Sequence, residues 1–289
     1  MRTLLPTAAL VVAASTVAGQ GLRPPIAAGW EAYIVATEAR VSRERGAAIP
    51  SRPGVERGEV FIEQLKTSGP SGELKVPDAA VHDWRGTVLV PGARLEDIVS
   101  RLEREPPDTR QEDVLSSSVL ELRPGWMKVA VRVHRQFLVS AVFDTEHEVT
   151  FERHGASRAS SWSRATKIVE IADAGTPKER PKGEHEDRDF LWKWHAYWRY
   201  EQAERGVVVE CESITLSRQV PMLLRPIAGP IVSKVAKESM ERSLITLRER
   251  FRAPATKPLP PLPPPPPKDA AALPPSPPPQ VRRTPRGGV

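Results

Sequence analysis

The pattern of apolar and polar positions predicts an amphipathic helix near the start of the chain. Between residues 27 and 45, large side chains recur at steps of three and four, which is the spacing of one helix face. The positions on this face are Trp30, Ile34, Thr37 and Val41. We expect the helix to pack on the folded body, and residues 46–58, which hold two prolines and three glycines, to form a connector.

A strand, a second strand, a helix and a run of strands are predicted after the connector. Residues 61–66 and 84–90 have the apolar content of short strands. The next segment places four apolar residues on one helical face, namely Leu95, Ile98, Val99 and Leu102. From residue 127 to residue 171 the period changes to two, which indicates successive antiparallel strands with one wet face. The apolar positions that carry this period are Met127, Val129, Val131, Val133, Phe137, Val139, Ala141, Phe143, Val149 and Phe151.

The densest aromatic segment, residues 189–200, reads DFLWKWHAYWRY and predicts a strand with two different faces. One face would carry Phe190, Trp192, Trp194, Ala196, Trp198 and Tyr200. The other would carry Leu191, Lys193, His195, Tyr197 and Arg199. Because rings of this size bury on the order of 150 to 250 Å² each, the aromatic face must meet a thick core or a ligand cavity. A turn at residues 204–206 then leads into GVVVECESITLSR, which we expect to pair with it as a hairpin.

Helical spacing returns in the last apolar segment, after two prolines at 226 and 230. Its stripe consists of Ile231, Val235, Ser239, Leu244, Leu247 and Phe251. The stripe needs a sheet to cover, and the aromatic face just before it is the candidate. The sequence therefore predicts one α+β domain at residues 59–252, in which a curved antiparallel sheet is closed by a long C-terminal helix.

The first residues have the layout of a secretory signal. One positive charge at Arg2 precedes a run of Leu, Ala and Val, and Thr16 and Ala18 fit the small-x-small cleavage rule. We therefore expect residues 1–18 to be a signal peptide and the protein to be periplasmic or secreted. An uncleaved membrane anchor is the alternative.

The last residues, 253–289, are dominated by proline, which removes backbone donors and cannot build a core. We expect a disordered tail. Either it is a passive spacer, or it docks into an aromatic groove or onto a membrane or envelope surface.

Composition excludes several classes of protein. The net charge of +6 comes from basic residues that sit in the tail or alternate with acids, so we expect no nucleic acid partner. Cys211 is the only cysteine, which rules out an intrachain disulfide and cysteine-cluster zinc sites. We expect it to be a small buried hydrophobe.

Catalytic motifs are missing from the sequence. The six histidines show no paired-ligand spacing, and we expect no metal. The serine hydrolase, P-loop and dinucleotide signatures are absent as well, and we expect no cofactor. Glu210 and Glu212 do share a strand face with apolar residues, which could raise a carboxyl pKa enough for acid or base work. The alternative is that they pair with Arg164, Arg199 or Lys167 on neighbouring strands.

The order of elements over residues 84–252 is similar to that of the START-like superfamily, also called helix-grip or SRPBCC. The segment WRGTVLVPGARLEDIVSRL resembles the first strand and following helix of these proteins. The segment FLWKWHAYWRYEQAERGVVVECESITLSR resembles exported members from soil bacteria. The resemblance implies a cavity between the sheet and the C-terminal helix that accepts a lipid or another hydrophobic small molecule.

Ten apolar residues are predicted to line this cavity: Met127, Val129, Val131, Phe143, Trp192, Trp194, Trp198, Val235, Leu244 and Leu247. Glu210, Glu212 and His195 are the candidate polar anchors. Three functions remain open on the sequence alone. The first is a binder or carrier of a hydrophobic molecule, the second a cyclase- or hydrolase-like enzyme that uses the anchors or Tyr197, and the third a filled-core envelope or interaction protein.

Overall fold

The structure, a computed structural model, describes residues 22–136, 140–183, 190–219 and 225–252, without the side chains of residues 136 and 225–233. The predicted signal segment, the proline-rich C-terminal segment and the predicted strand positions Phe137 and Val139 lie outside the described residues. None of the described helices has both the length and the apolar character needed to span a bilayer.

The described residues form three α-helices, a short 3₁₀ helix and eleven strands. The helices are α1 (Pro24–Glu44), α2 (Leu95–Leu102) and α3 (Arg225–Arg252), and the 3₁₀ helix is Val55–Arg57. The strands are β1 (Phe61–Gln64), β2 (Ser68–Gly69), β3 (Gly72–Glu73), β4 (Ala79–Pro91), β5 (Val114–Arg123), β6 (Trp126–Gln136), β7 (Ser140–His154), β8 (Arg158–Ala172), β9 (Arg180–Pro181), β10 (Lys193–Ala203) and β11 (Gly206–Arg218).

Nine of the strands form one curved antiparallel sheet. Its order is β1-β4-β11-β10-β8-β7-β6-β5, with the short β9 paired to β8. Four neighbouring pairs in this order are also consecutive along the chain, namely β5–β6, β6–β7, β7–β8 and β10–β11. Strand β10 pairs with β8 although β9 lies between them in the chain. Strand β4 pairs with β1 and with β11, which brings the first long strand beside the last. The remaining two strands, β2 and β3, form a small separate hairpin.

Helix α3 covers one face of this sheet. Its residues Met240, Leu244 and Leu247 pack with α2 and with the alternate positions of β4 and β11 that point the same way. On β4, the position opposite Leu244 is Gly86. A Cβ atom there would lie 2.5 Å from Leu244 Cδ1, so the absence of a side chain allows the helix to approach the strand this closely.

Helix α1 covers the opposite face. Two prolines occupy its first turn, where a missing N–H costs nothing. Its buried residues Ile26, Trp30, Tyr33 and Ile34 pack against Tyr197, Ile214 and Leu216 of the sheet. The prediction that the N-terminal helix packs on the body is confirmed. The central strands are consequently covered on both faces, by α3 on one side and α1 on the other.

The fold class predicted from the sequence is confirmed as α+β with a curved antiparallel sheet and a C-terminal helix. The predicted hairpin is also present, since Lys193 pairs with Leu216 at one end and Ala203 with Gly206 at the other. Cys211 is buried, as predicted, and it lies on the face of the sheet that α3 covers.

Candidate functional site

A cavity of about 220 Å³ lies between the sheet and α3. The sheet supplies its floor, α3 supplies Ser243, Thr246, Leu247 and Arg250, and the segment between α2 and β5 supplies the rest of the rim. The floor residues are Met127, Val129, Val131, Val133, Arg135, His147, Val149, Phe151, Ser161, Ser163, Trp194, Ala196, Trp198 and Tyr200. The lining is therefore mostly apolar, with a few polar groups among the apolar side chains, as is usual for sites that hold small molecules.

The cavity exists because small residues occupy the middle of the sheet. Ser161 and Ser163 on β8 and Ala196 on β10 all line it, and Ser163 pairs directly with Ala196 across the two strands. The larger side chains of Phe151 and Trp198, which pair with Ser161 from the strands on either side, line the cavity as well. Since protein interiors are otherwise packed to crystal density, three adjacent short side chains facing a helix leave unfilled space.

Two tryptophans of β10 form one wall of the cavity. Trp198 stacks on Tyr200 with ring centroids 6.4 Å apart. Trp194 donates from Nε1 to Ser213 Oγ at 3.1 Å and meets the His147 ring edge-on, with centroids 4.9 Å apart. Because these contacts hold both tryptophan rings in place, this wall of the cavity is formed before any ligand binds.

Six of the ten residues predicted to line the cavity do so: Met127, Val129, Val131, Trp194, Trp198 and Leu247. The other four are not among the lining residues. Phe143 of β7 is buried in a core cluster with apolar residues of β6. Leu244 packs over Gly86. Trp192 precedes β10 and packs with the cluster beneath α1, so the strand alternation does not extend to it. Val235 is half-buried on α3.

The three predicted polar anchors lie on the wrong face of the sheet. Glu210, Glu212 and His195 all point toward α1, because Val209 and Cys211 take the alternate positions that face α3. Period two separates the residues of a strand into two sets but does not tell which set meets the cavity.

Buried ion pairs occupy the space beneath α1 instead. Arg199 Nη2 donates to Glu210 Oε1 at 2.6 Å, and Arg85 Nη2 donates to Glu212 Oε2 at 2.8 Å. Arg40 of α1 also donates to Glu212. Pairing with a neighbouring arginine, such as Arg199, is the sequence-based alternative to a catalytic role. For Glu210 the structure shows this pairing. Lys167 and Arg164 pair with Glu146 and Glu148.

At one end of the cavity, Arg135 lies over Trp194, its guanidinium carbon 5.2 Å from the ring centroid. Arg135 pairs with Asp113, which also accepts from Ser239 of α3 at 2.9 Å. Burial by itself raises the pKa of Asp113, but Arg135 and the hydrogen bonds from Gln111 and Ser239 outweigh it and lower the pKa. Arg242 Nη2 of α3 lies 3.6 Å from the same carboxylate, so Asp113 serves two guanidinium groups at this end of the cavity.

His147 lies against the Trp194 ring of the cavity wall. Burial, followed by electrostatic repulsion from Arg135 and His195, lowers the pKa of His147 to about 4. The imidazole is therefore neutral at physiological pH. Its Nε2 lies 3.0 Å from Thr145 Oγ1.

At the opposite end, α3 is tied to the segment that follows α2. Arg250 of α3, which is 8% exposed, donates to Glu105. Arg101 Nη2 donates to the same carboxylate at 3.0 Å. Burial raises the pKa of Glu105, and the two arginines more than offset this and lower it. The ion pair closes this end of the cavity without leaving an unpaired charge at its rim.

Neither a cluster of metal ligands nor a reactive thiol is found among the residues that the structure describes. No three His, Cys, Asp or Glu side chains of this part of the chain are grouped so as to hold a metal ion. Burial, together with Glu212 and Glu210, raises the pKa of the Cys211 thiol well above its usual value, which makes it a poor nucleophile.

The sequence matches no family model and no curated protein. Solved structures of similar fold include a STAR-related lipid transfer protein fragment from Xanthomonas axonopodis, 16% identical, covering 66% of this chain and 99% of that one, with a TM-score of 0.43. Human StAR-related lipid transfer protein 5 is 14% identical and covers 78% and 97%, also with a TM-score of 0.43. A START superfamily protein from Mycobacterium smegmatis is 14% identical and covers 60% and 96%, with a TM-score of 0.35.

The element order and strand pairing of the chain itself carry the fold assignment. A long first strand and a helix are followed by a meander of antiparallel strands, and the last strand returns to pair with the first. The long C-terminal helix then lies over the sheet and encloses the cavity. The chain therefore has a helix-grip fold, in which a long C-terminal helix lies against a curved antiparallel sheet.

Proposed function

We propose that this protein binds a hydrophobic small molecule or lipid in the cavity between the sheet and α3. The observation that carries the proposal is the group of small side chains, Ser161, Ser163 and Ala196, at the centre of an otherwise bulky and apolar wall. A sheet that only needed a filled core would place larger apolar residues here, because unfilled space in a core costs stability. This argues against the filled-core alternative.

The alternative of a cyclase- or hydrolase-like enzyme requires candidate catalytic side chains in the cavity, and those proposed from the sequence are not there. It needed Glu210, Glu212, His195 or Tyr197 at the cavity, and all four side chains point toward α1. The carboxylates that do reach the rim, Glu105 and Asp108, are paired with arginines. A binding or carrier role requires only the apolar wall and the enclosed space.

A cavity-filling substitution tests the proposal directly. In Ser163→Leu the larger side chain would enter the cavity from the middle of its floor. We expect the affinity for an apolar ligand to fall at least tenfold, while the melting temperature is unchanged or rises, because the new side chain occupies existing space. Ligand binding is measured by tryptophan fluorescence with a panel of fatty acids, sterols and aromatic compounds.

Ser118→Leu is the matched control, because Ser118 is exposed on β5 and outside the cavity. It should bind every ligand as the wild type does. The proposal is wrong if no ligand of the panel shifts the fluorescence or the melting temperature of the wild type and if Ser163→Leu is destabilised as in a filled core.

A further inference from the structure

The hydrogen bonds around His147 define which of its nitrogens carries the proton. Thr145 Oγ1 donates its single hydrogen to the carbonyl oxygen of Val131, at 2.8 Å, since a carbonyl can only accept. Thr145 therefore has only lone pairs left for His147, whose Nε2 lies 3.0 Å away. The Nε2 atom must carry the hydrogen and donate it, and Nδ1 keeps an unprotonated lone pair.

The His147 ring is held in place within the cavity wall. The Trp194 ring meets it at an interplanar angle of 87°, and the Thr145 bond fixes its other side. The side chain is only 6% exposed and belongs to the cavity lining. A neutral imidazole held in one tautomer is a preorganised hydrogen-bond acceptor, and a ligand donor can pair with it without reorganising the site.

The other polar groups of the floor differ from His147. The hydroxyls of Ser161, Ser163 and Tyr200 can each donate or accept, and Ser161 Oγ lies 3.2 Å from Tyr200 Oη. Arg135 can only donate, and it shares the carboxylate of Asp113 with Arg242. On the described floor, Nδ1 of His147 thus differs from the hydroxyls and from Arg135, because its own hydrogen bonds leave it able only to accept.

We propose that the cavity selects hydrophobic ligands that carry a neutral hydrogen-bond donor, such as an alcohol or phenol hydroxyl, which donates to Nδ1 of His147. This inference rests on the proposed function and narrows its ligand class. A ligand of the same shape without the donor would leave the imidazole nitrogen unpaired when water is displaced, which costs binding energy.

Three probes with one ring system test the selection: 2-naphthol, 2-methylnaphthalene and 2-naphthoate. We expect the wild type to bind 2-naphthol roughly tenfold more tightly than 2-methylnaphthalene, because one buried hydrogen bond distinguishes them. In His147→Phe this ratio should fall to about one, with 2-methylnaphthalene bound as well as before. His154→Phe is the control, since His154 lies on the same strand outside the cavity lining.

A measurement on the wild type keeps the test valid if His147→Phe does not fold. In ¹⁵N-histidine NMR spectra, His147 should show a protonated Nε2 and an unprotonated Nδ1, and 2-naphthol should shift the Nδ1 resonance. Equal binding of 2-naphthol and 2-methylnaphthalene, or tightest binding of 2-naphthoate, would overturn the inference and leave the proposed function standing. Failure of all three probes and of the wider ligand panel would instead count against the proposed function itself.

Discussion

Asp83 is a buried carboxylate held between α1 and the sheet. Its Oδ2 accepts from the Tyr33 hydroxyl of α1 at 2.8 Å, and its Oδ1 has no hydrogen-bond partner. Burial and the nearby charge of Glu212 raise the pKa of Asp83 to about 7, although Tyr33 and the arginines Arg40 and Arg85 act in the opposite direction. A carboxyl group in this position binds a proton more tightly in the folded protein than in the unfolded chain.

The raised pKa of Asp83 determines how the free energy of unfolding changes with pH. Because the folded pKa lies above the unfolded value of 3.8, the contribution of Asp83 to stability is full below pH 4 and is lost as the pH rises through 7. We expect Asp83→Asn, which keeps an acceptor for Tyr33, to gain stability relative to the wild type across this window. The gain should be on the order of 1 to 3 kcal/mol at pH 8, measured by urea unfolding at several pH values.

The matched control is Asp78→Asn, since Asp78 is well exposed and paired only with the exposed Arg23. Its unfolding free energy should follow the wild type at every pH. If Asp83→Asn shows a stability difference that does not change with pH, Asp83 is not the group that titrates.

At the scale of elements, the close contact of α3 with β4 depends on Gly86. In Gly86→Ala the added methyl group would meet Leu244 Cδ1, and Leu244 is fully buried and has little room to turn. We expect a loss of about 1 to 3 kcal/mol of unfolding free energy, as is usual for overpacking. Gly46→Ala in the connector, where the nearest atom would lie 3.9 Å away, serves as the control. An unchanged stability of Gly86→Ala would mean that α3 shifts to accommodate the methyl group.

Elements with a long, unbroken period could be predicted from the sequence, and β5 shows why others could not. Its pairing with β6 shifts register between Val114 and Ser116 and again between Val119 and Glu121. Each irregularity interrupts the alternation of faces, so that Leu115 and Leu120 are both half exposed. The strands β6, β10 and β11 have no such irregularity within the predicted segments, so the sequence pattern identified them as strands.

The site was predictable only in part, for two physical reasons. Alternation along β11 separated Glu210 and Glu212 from Val209 correctly, but the choice of face depends on where α1 and α3 pack. The small residues Ser161 and Ser163, which create the cavity, resemble an exposed polar strand when read in the sequence. Their role in forming the cavity can be recognised only in the folded sheet, where larger side chains from neighbouring strands surround them.

On the scale of the whole molecule, the arrangement of layers makes α1 part of the folded unit. The helix buries Trp30, Tyr33 and Ile34 against the sheet and shields the ion pairs of Glu210 and Glu212. The sequence divided this region into a helix, a connector and a domain that begins at residue 59. The contacts show a common core for α1 and the strands.

We expect the mature protein to begin just before this helix, which is where the predicted signal peptide would be removed. N-terminal sequencing of protein recovered from the envelope or the medium should give a start near residue 19. Intact Met1 in a membrane fraction would support the anchor alternative, and intact Met1 in a cytoplasmic fraction would exclude export.

The pairing of β4 with β11 has a consequence for how the chain folds. Residues 79–91 hydrogen-bond to residues 206–218, so β4 has its main partner only after most of the chain has been synthesised. Such non-local pairing makes folding slow, because a long loop must close before the contact stabilises it. Until β11 and α3 are in place, the strand edge of β4 and the surface beneath both helices stay open to other chains. The arrival of the C-terminal hairpin and helix should therefore set the folding rate of the whole molecule.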